Sequence, residues 1–227
     1  MEFERNKSIW GAIMNFKVEK IAQNFFKLAF NTIRREDRKF RRLIINNPQT
    51  TGITFCDWDQ GYFSLFETTI VYEILKSYIN DISLKTYPIC YEKKYPGRSH
   101  EVLDLGIYKS DKSAKKEYPI DLAIEVKYWK DTNKLKQDAN KLLNEFKSNR
   151  FNNVALLIIS RDSERSDADY LSDGVKEKIH YNYKKRTHTL ESNPNRCKSF
   201  ATYRFNHDTF EQEKAYCNVS LFLKCRK

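Results

Sequence analysis

The stretch IDLAIEVKYWK, residues 120–130, decides the fold. Ile120, Leu122, Ala123, Ile124 and Val126 give it the apolar character of a buried strand, and Glu125 and Lys127 interrupt that character. Strand side chains alternate between faces, so Glu125 and Lys127 point one way while Val126 points the other. A carboxylate and an ammonium side by side on an apolar strand are either a structural ion pair or part of a reactive site.

One segment upstream, EVLDLGIYK (101–109) reads as a second strand. Leu103, Leu105 and Ile107 share one face of it, and Asp104 lies on the other with Val102 and Gly106. The polar run SDKSAKKE (110–117) joins the two as a turn, so a hairpin can bring Asp104 beside Glu125. Two carboxylates on one patch of sheet repel each other and lose hydration. A divalent cation relieves both costs; Mg²⁺ is commonly held by one or two carboxylates and completes its shell with water and phosphate oxygens.

The surroundings alternate helix and strand. YFSLFETTIVYEILKSYIN (62–80) has a helical core stripe of Phe63, Phe66, Ile70 and Ile74, and 84–91 reads as a strand before the hairpin. After it, 131–148 is helical through Leu135, Ala139, Leu142, Leu143 and Phe146, and NVALLIIS (153–160) is a continuous apolar strand. Residues 9–45 form a further helix with Ile21, Phe25, Leu28 and Thr32 on one stripe, widened by Phe26, Ala29, Phe30 and Ile33. NNPQTTG (46–52) breaks it. The predicted class is α/β, a mixed sheet flanked by helices with an added N-terminal helical segment. The organisation expected is a basic helical extension at 1–50, a core at 51–160, and a C-terminal extension at 161–227 that packs on or extends the core and ends in a strand at 218–224.

Asp104, followed twenty-one positions later by Glu125-Val126-Lys127 on consecutive strands between flanking helices, resembles the PD-(D/E)xK nuclease superfamily, the restriction-endonuclease-like group. The resemblance covers residues 62–160, and the termini fall outside it. It implies a restriction-endonuclease-like fold and a Mg²⁺- (or Mn²⁺-) dependent endonuclease acting on nucleic acid, with DNA the expected polymer. Asp104, Glu125 and the Val126 carbonyl would hold the ion, Lys127 would orient the attacking water, and the products would be a 5′-phosphate and a 3′-hydroxyl. Many members add an acid from the preceding helix; Glu67 is preferred here and Glu73 is the alternative. No proline precedes Asp104, a departure the superfamily tolerates. Asp121 competes for the aspartate role, but four strand residues place it about 13 Å from Glu125. In the following helix Lys134 and Gln137 could reach phosphate or water. The competing reading is a nucleic-acid-binding or assembly module on a degenerate nuclease fold, with Asp104, Glu125 and Lys127 as structural ion pairs.

Charge agrees with a polyanionic partner. The chain of 227 residues carries 41 Lys+Arg against 30 Asp+Glu, a formal net charge of +11. RREDRKFRR (34–42) holds six basic residues in nine, and KIHYNYKKRTH (178–188) interleaves basic and aromatic side chains. Arg38, Lys39, Arg41, Arg42, Lys184, Lys185 and Arg186 are therefore the candidate nucleic-acid contacts, whose role is affinity and not chemistry. His180 and His188 in the second stretch read as surface residues. No apolar run approaches the ~20 residues that span a membrane, and the first ten residues lack an apolar signal core. Five scattered cysteines suggest no disulfide framework, so a reduced, cytoplasmic protein is expected. Cys197, His207, Cys217 and Cys225 match no compact zinc spacing. Six glycines without a GK[ST] signature exclude a P-loop ATPase, and no G-x-S-x-G elbow supports a serine hydrolase. A homodimer or larger nuclease assembly is compatible with the sequence.

Overall fold

The computed structural model describes residues 2–46, 67–82, 84–95, 101–108, 120–128, 132–162, 181–183, 186–188, 190, 193–205 and 212–226. Two long helices come first, α1 (Glu2–Asn46) and α2 (Glu67–Asn80). Strands β1 (Ile89–Lys94), β2 (Val102–Ile107) and β3 (Ile120–Tyr128) follow, then helix α3 (Thr132–Lys147) and strand β4 (Phe151–Asp162). The C-terminal part adds β5 (Tyr181–Tyr183), β6 (Arg186–His188), a short 3₁₀ turn at Pro194–Arg196, β7 (Cys197–Phe205) and β8 (Gln212–Lys224). This is an α/β protein built on a six-stranded mixed sheet of order β1-β2-β3-β4-β8-β7, with β5 and β6 as a separate hairpin.

The β3–β4 pair is parallel, and its register holds from Ile120↔Phe151 to Tyr128↔Ile159. A parallel pair needs a crossover, which α3 supplies. β4 is covered on both faces: Val154, Ala155, Leu156, Leu157, Ile158 and Ile159 are all fully buried, as its unbroken apolar run requires. On one face α1 and α2 pack through Phe25, Phe26, Ile33, Ile70 and Ile74 against Leu105, Ile124, Leu157 and Leu221. On the other, α3 places Leu135, Ala139, Leu142 and Leu143 against Ala123, Val154, Leu156 and Ile158. Each fully buried Leu, Ile, Val or Phe among them contributes about 1.5–3 kcal/mol. The N-terminal helix supplies eight of the 26 buried residues of the core on its own face. It is also tied to the far edge strand, where the Thr202 hydroxyl donates to buried Asp37 Oδ1 at 2.7 Å.

Several boundaries differ from expectation: α1 begins at Glu2 and not at 9, and β4 runs from Phe151 to Asp162 and not over 153–160 alone. The first strand begins at Ile89 and not at 84, because the backbone before it closes turns (Leu84 N–H to the Asp81 carbonyl, Tyr87 N–H to the Leu84 carbonyl). Pro88, which has no N–H to donate, precedes the ladder. β8 runs from Gln212 and not from 218. β7 was not anticipated; it pairs with β8 along its whole length, from Cys197↔Ser220 to Phe205↔Gln212. Of the helix expected at 62–80, residues 62–66 lie outside the described residues.

Candidate active site

Asp104, Glu125 and Lys127 meet on the α3 face, where β2 and β3 part. The two strands pair from Ile107↔Leu122 to Leu105↔Ile124, a register that sets Asp104 opposite Glu125. Residues opposed across an antiparallel pair project from the same face, so the carboxylates become neighbours. There the ladder changes character: the Val126 N–H donates to Asp104 Oδ2 at 2.7 Å, a side chain taking the place of a backbone carbonyl. On the other side of β2, Tyr91↔Leu105 and Lys93↔Leu103 pair around Glu92, which lies opposite Asp104 with φ of 50°. That left-handed conformation costs a non-glycine residue about 1–2 kcal/mol, so Asp104 sits in a locally irregular stretch of sheet.

Glu125 is 4% exposed. Its Oε1 accepts a hydrogen bond from the hydroxyl of Tyr95, itself 2% exposed and packed on the Phe151 ring at 5.8 Å. Burial, and next the adjacent Asp104 charge, push Glu125 up to about 9; the Tyr95 hydrogen bond and Lys127 act the opposite way. Burial and then the Glu125 charge likewise push the Tyr95 phenol far above its ordinary range. Lys127 Nζ stands between two carboxylates, 3.9 Å from Glu125 Oε2 and 3.8 Å from Asp138 Oδ2 on α3. Asp138 also takes Lys141 at 3.2 Å. The Lys127 and Asp138 side chains keep 20% and 14% exposure, so the patch is reached from solvent on their side.

The other candidates lie elsewhere. Glu73 is on α2, across the sheet, and pairs with Lys76 at 2.9 Å. Glu67 opens α2, and its side chain lies outside the described residues. Asp121 is near the start of β3, hydrogen-bonded by Asn152 at 3.5 Å. Gln137 is exposed, and the Lys134 side chain lies outside the described residues. Arg38 and Arg42 are exposed on α1; Lys39 pairs with Glu36 at 2.9 Å and Arg41 with Asp37 at 3.1 Å. This run belongs to the face opposite the carboxylates. Arg186 opens β6, while Lys184, Lys185, His180 and His207 lie outside the described residues. Cys197 and Cys217 project from opposite faces of the sheet, since Cys197 is opposed to Ser220 and Cys217 to Phe200.

Tyr95 and Asp138 were missed by the sequence reading. Asp138 carried a legible signal: it stands between Leu135, Ala139 and Leu142 on the buried stripe of α3, where an acid needs a partner. Tyr95 carried none, lying just past a strand end.

Among the described residues, no three His, Cys, Asp or Glu side chains form a group that could hold a metal ion. The pair Asp104 and Glu125 nevertheless fits Mg²⁺, which needs only one or two carboxylates, and their unfavourable mutual charge is what such an ion would relieve. No helix among the described residues is long and apolar enough to cross a membrane. No family model, curated protein or solved structure matches this chain.

Proposed function

We propose that this protein is a divalent-cation-dependent nuclease of the PD-(D/E)xK type, with a restriction-endonuclease-like core and DNA as its expected substrate. The observation that carries the reading is the adjacent carboxylate pair: Asp104 held by the Val126 N–H, Glu125 charge-suppressed beside it, and Lys127 within 3.9 Å of Glu125. The order α2, β1, β2, β3, α3, β4 and the net charge of +11 support it. Asp104 and Glu125 would hold Mg²⁺ or Mn²⁺, with Val126 and Glu67 as the further ligands the resemblance implies. When bound, such an ion supplies a water of lowered pKa and positive charge against the developing phosphorane. Lys127 keeps a cation at the reacting phosphate and orients the water, and Asp138 holds the Lys127 ammonium on that side of Glu125.

A second reading, a non-catalytic nucleic-acid-binding module, draws on Lys127 already lying between two carboxylates. The test is cleavage of duplex DNA, single-stranded DNA and RNA in Mg²⁺ or Mn²⁺, with EDTA as control. Cation-dependent cleavage leaving 5′-phosphate ends is expected; no cleavage of any polymer in either metal, with binding intact, favours the second reading.

A further inference from the structure

Each carboxylate of the pair has one oxygen engaged by a fixed donor. Glu125 Oε1 accepts from the Tyr95 hydroxyl, and Asp104 Oδ2 accepts from the Val126 N–H at 2.7 Å. Neither donor can swing aside. The Tyr95 ring is buried against Phe151, its own N–H is bonded to the Glu101 carbonyl at 3.0 Å, and the Val126 N–H is strand backbone. The oxygens these donors do not take are Asp104 Oδ1 and Glu125 Oε2, the latter 3.9 Å from Lys127 Nζ.

We infer that Tyr95 is a positioning residue that restricts Glu125 to ligation through a single oxygen and, with the Val126 N–H acting likewise on Asp104, makes the centre select a small divalent cation over calcium. The inference rests on the cation-dependent reading above. Its physical basis is coordination number: Ca²⁺ gathers about six to eight oxygens at about 2.3–2.6 Å and often chelates both oxygens of one carboxylate. Mg²⁺ holds six at about 2.0–2.1 Å and is content with single carboxylate oxygens and water. A hydroxyl fixed on Glu125 Oε1 opposes the chelating mode that calcium favours and leaves the magnesium mode untouched. Hydrogen bonds from outside the ligand shell commonly set ligand orientation in this way.

Calorimetric titration of the full, metal-free chain with Mg²⁺ and with Ca²⁺ tests this without reference to cleavage. The parent should bind Mg²⁺ at least as tightly as Ca²⁺. Tyr95→Phe keeps the ring against Phe151, removes only the hydroxyl, and should move the Ca²⁺-to-Mg²⁺ affinity ratio toward calcium by about tenfold. Tighter Ca²⁺ than Mg²⁺ binding by the parent overturns the inference without any variant, and an unchanged ratio in Tyr95→Phe overturns it as well. The two levels separate cleanly. Binding of neither ion by the parent, or binding indifferent to Asp104→Asn, removes the cation centre itself. Binding abolished by Asp104→Asn alongside an unchanged ratio in Tyr95→Phe removes only the role of Tyr95.

Discussion

Burial and the neighbouring charge of Asp104 push Glu125 up to about 9 from an ordinary 4.5, which links folding to pH. Between those values the folded chain keeps a proton that the unfolded chain has released, so stability falls as pH rises through the window. The contribution is full below the unfolded value and is lost as pH passes the folded one. Glu125→Gln mimics the protonated side chain and should lack this dependence. Urea unfolding in EDTA at about pH 6 and about pH 8.5 should show the parent losing up to about 3 kcal/mol relative to Glu125→Gln. Parallel profiles would show that Glu125 ionises normally in the fold. Added Mg²⁺ should restore the parent at the higher pH, because the ion replaces the proton between the carboxylates. Part of the triad was legible because strand parity is local: Lys127 had to share the face of Glu125 once 120–130 was a strand, and the hairpin register sets Asp104 opposite Glu125. Parity failed one residue earlier, where Leu103, expected on the face of Leu105 and Ile107, packs instead in the α3-side core. Tyr95 was invisible because nothing local determines where a residue beyond a strand end will point.

Among the elements, those with a continuous or strongly periodic apolar pattern were readable: β3, β4 and α3, together with the stripe of α1. β7 was not, because CKSFATYRF mixes charged, hydroxyl and aromatic side chains as an edge strand can, and its pairing with β8 is set by tertiary context. β2 makes the tightest demand. A Cβ on Gly106 would lie 2.7 Å from Cys90 Sγ and 3.0 Å from Ile120 Cδ1, on the same face as Asp104 two residues away. Gly106→Ala must therefore push β2 from β1 or from the start of β3, at a cost of about 1–3 kcal/mol. Since Asp104 is anchored to Val126 across that same junction, cation affinity should weaken with stability. A variant melting with the parent and binding Mg²⁺ equally would show that the Cys90 thiol simply rotates away.

At the scale of the whole molecule, the basic end of α1 and the carboxylate patch are separated by the sheet. The basic end of α1 lies on the α1/α2 face, and Asp104, Glu125 and Lys127 lie on the α3 face. A polyanion touching both must wrap an edge of the sheet, so the α1 charges serve affinity without positioning the reacting phosphate. Neutralising Arg38, Lys39 and Arg42 together should weaken binding on all sequences alike and flatten its salt dependence. Arg41 is best spared, because its loss would strand Asp37, buried beside Thr202. Unchanged affinity at low salt would make the run a solvated helix face. The central claim is that Lys127 serves a reaction and not merely the charge of Glu125. Its most direct test is Lys127→Met, assayed for melting temperature, nucleic-acid binding and cleavage in Mg²⁺. The account predicts near-parental melting in Mg²⁺, retained binding and cleavage lowered by about two orders of magnitude or more. Cleavage by Lys127→Met at close to the parental rate would contradict it.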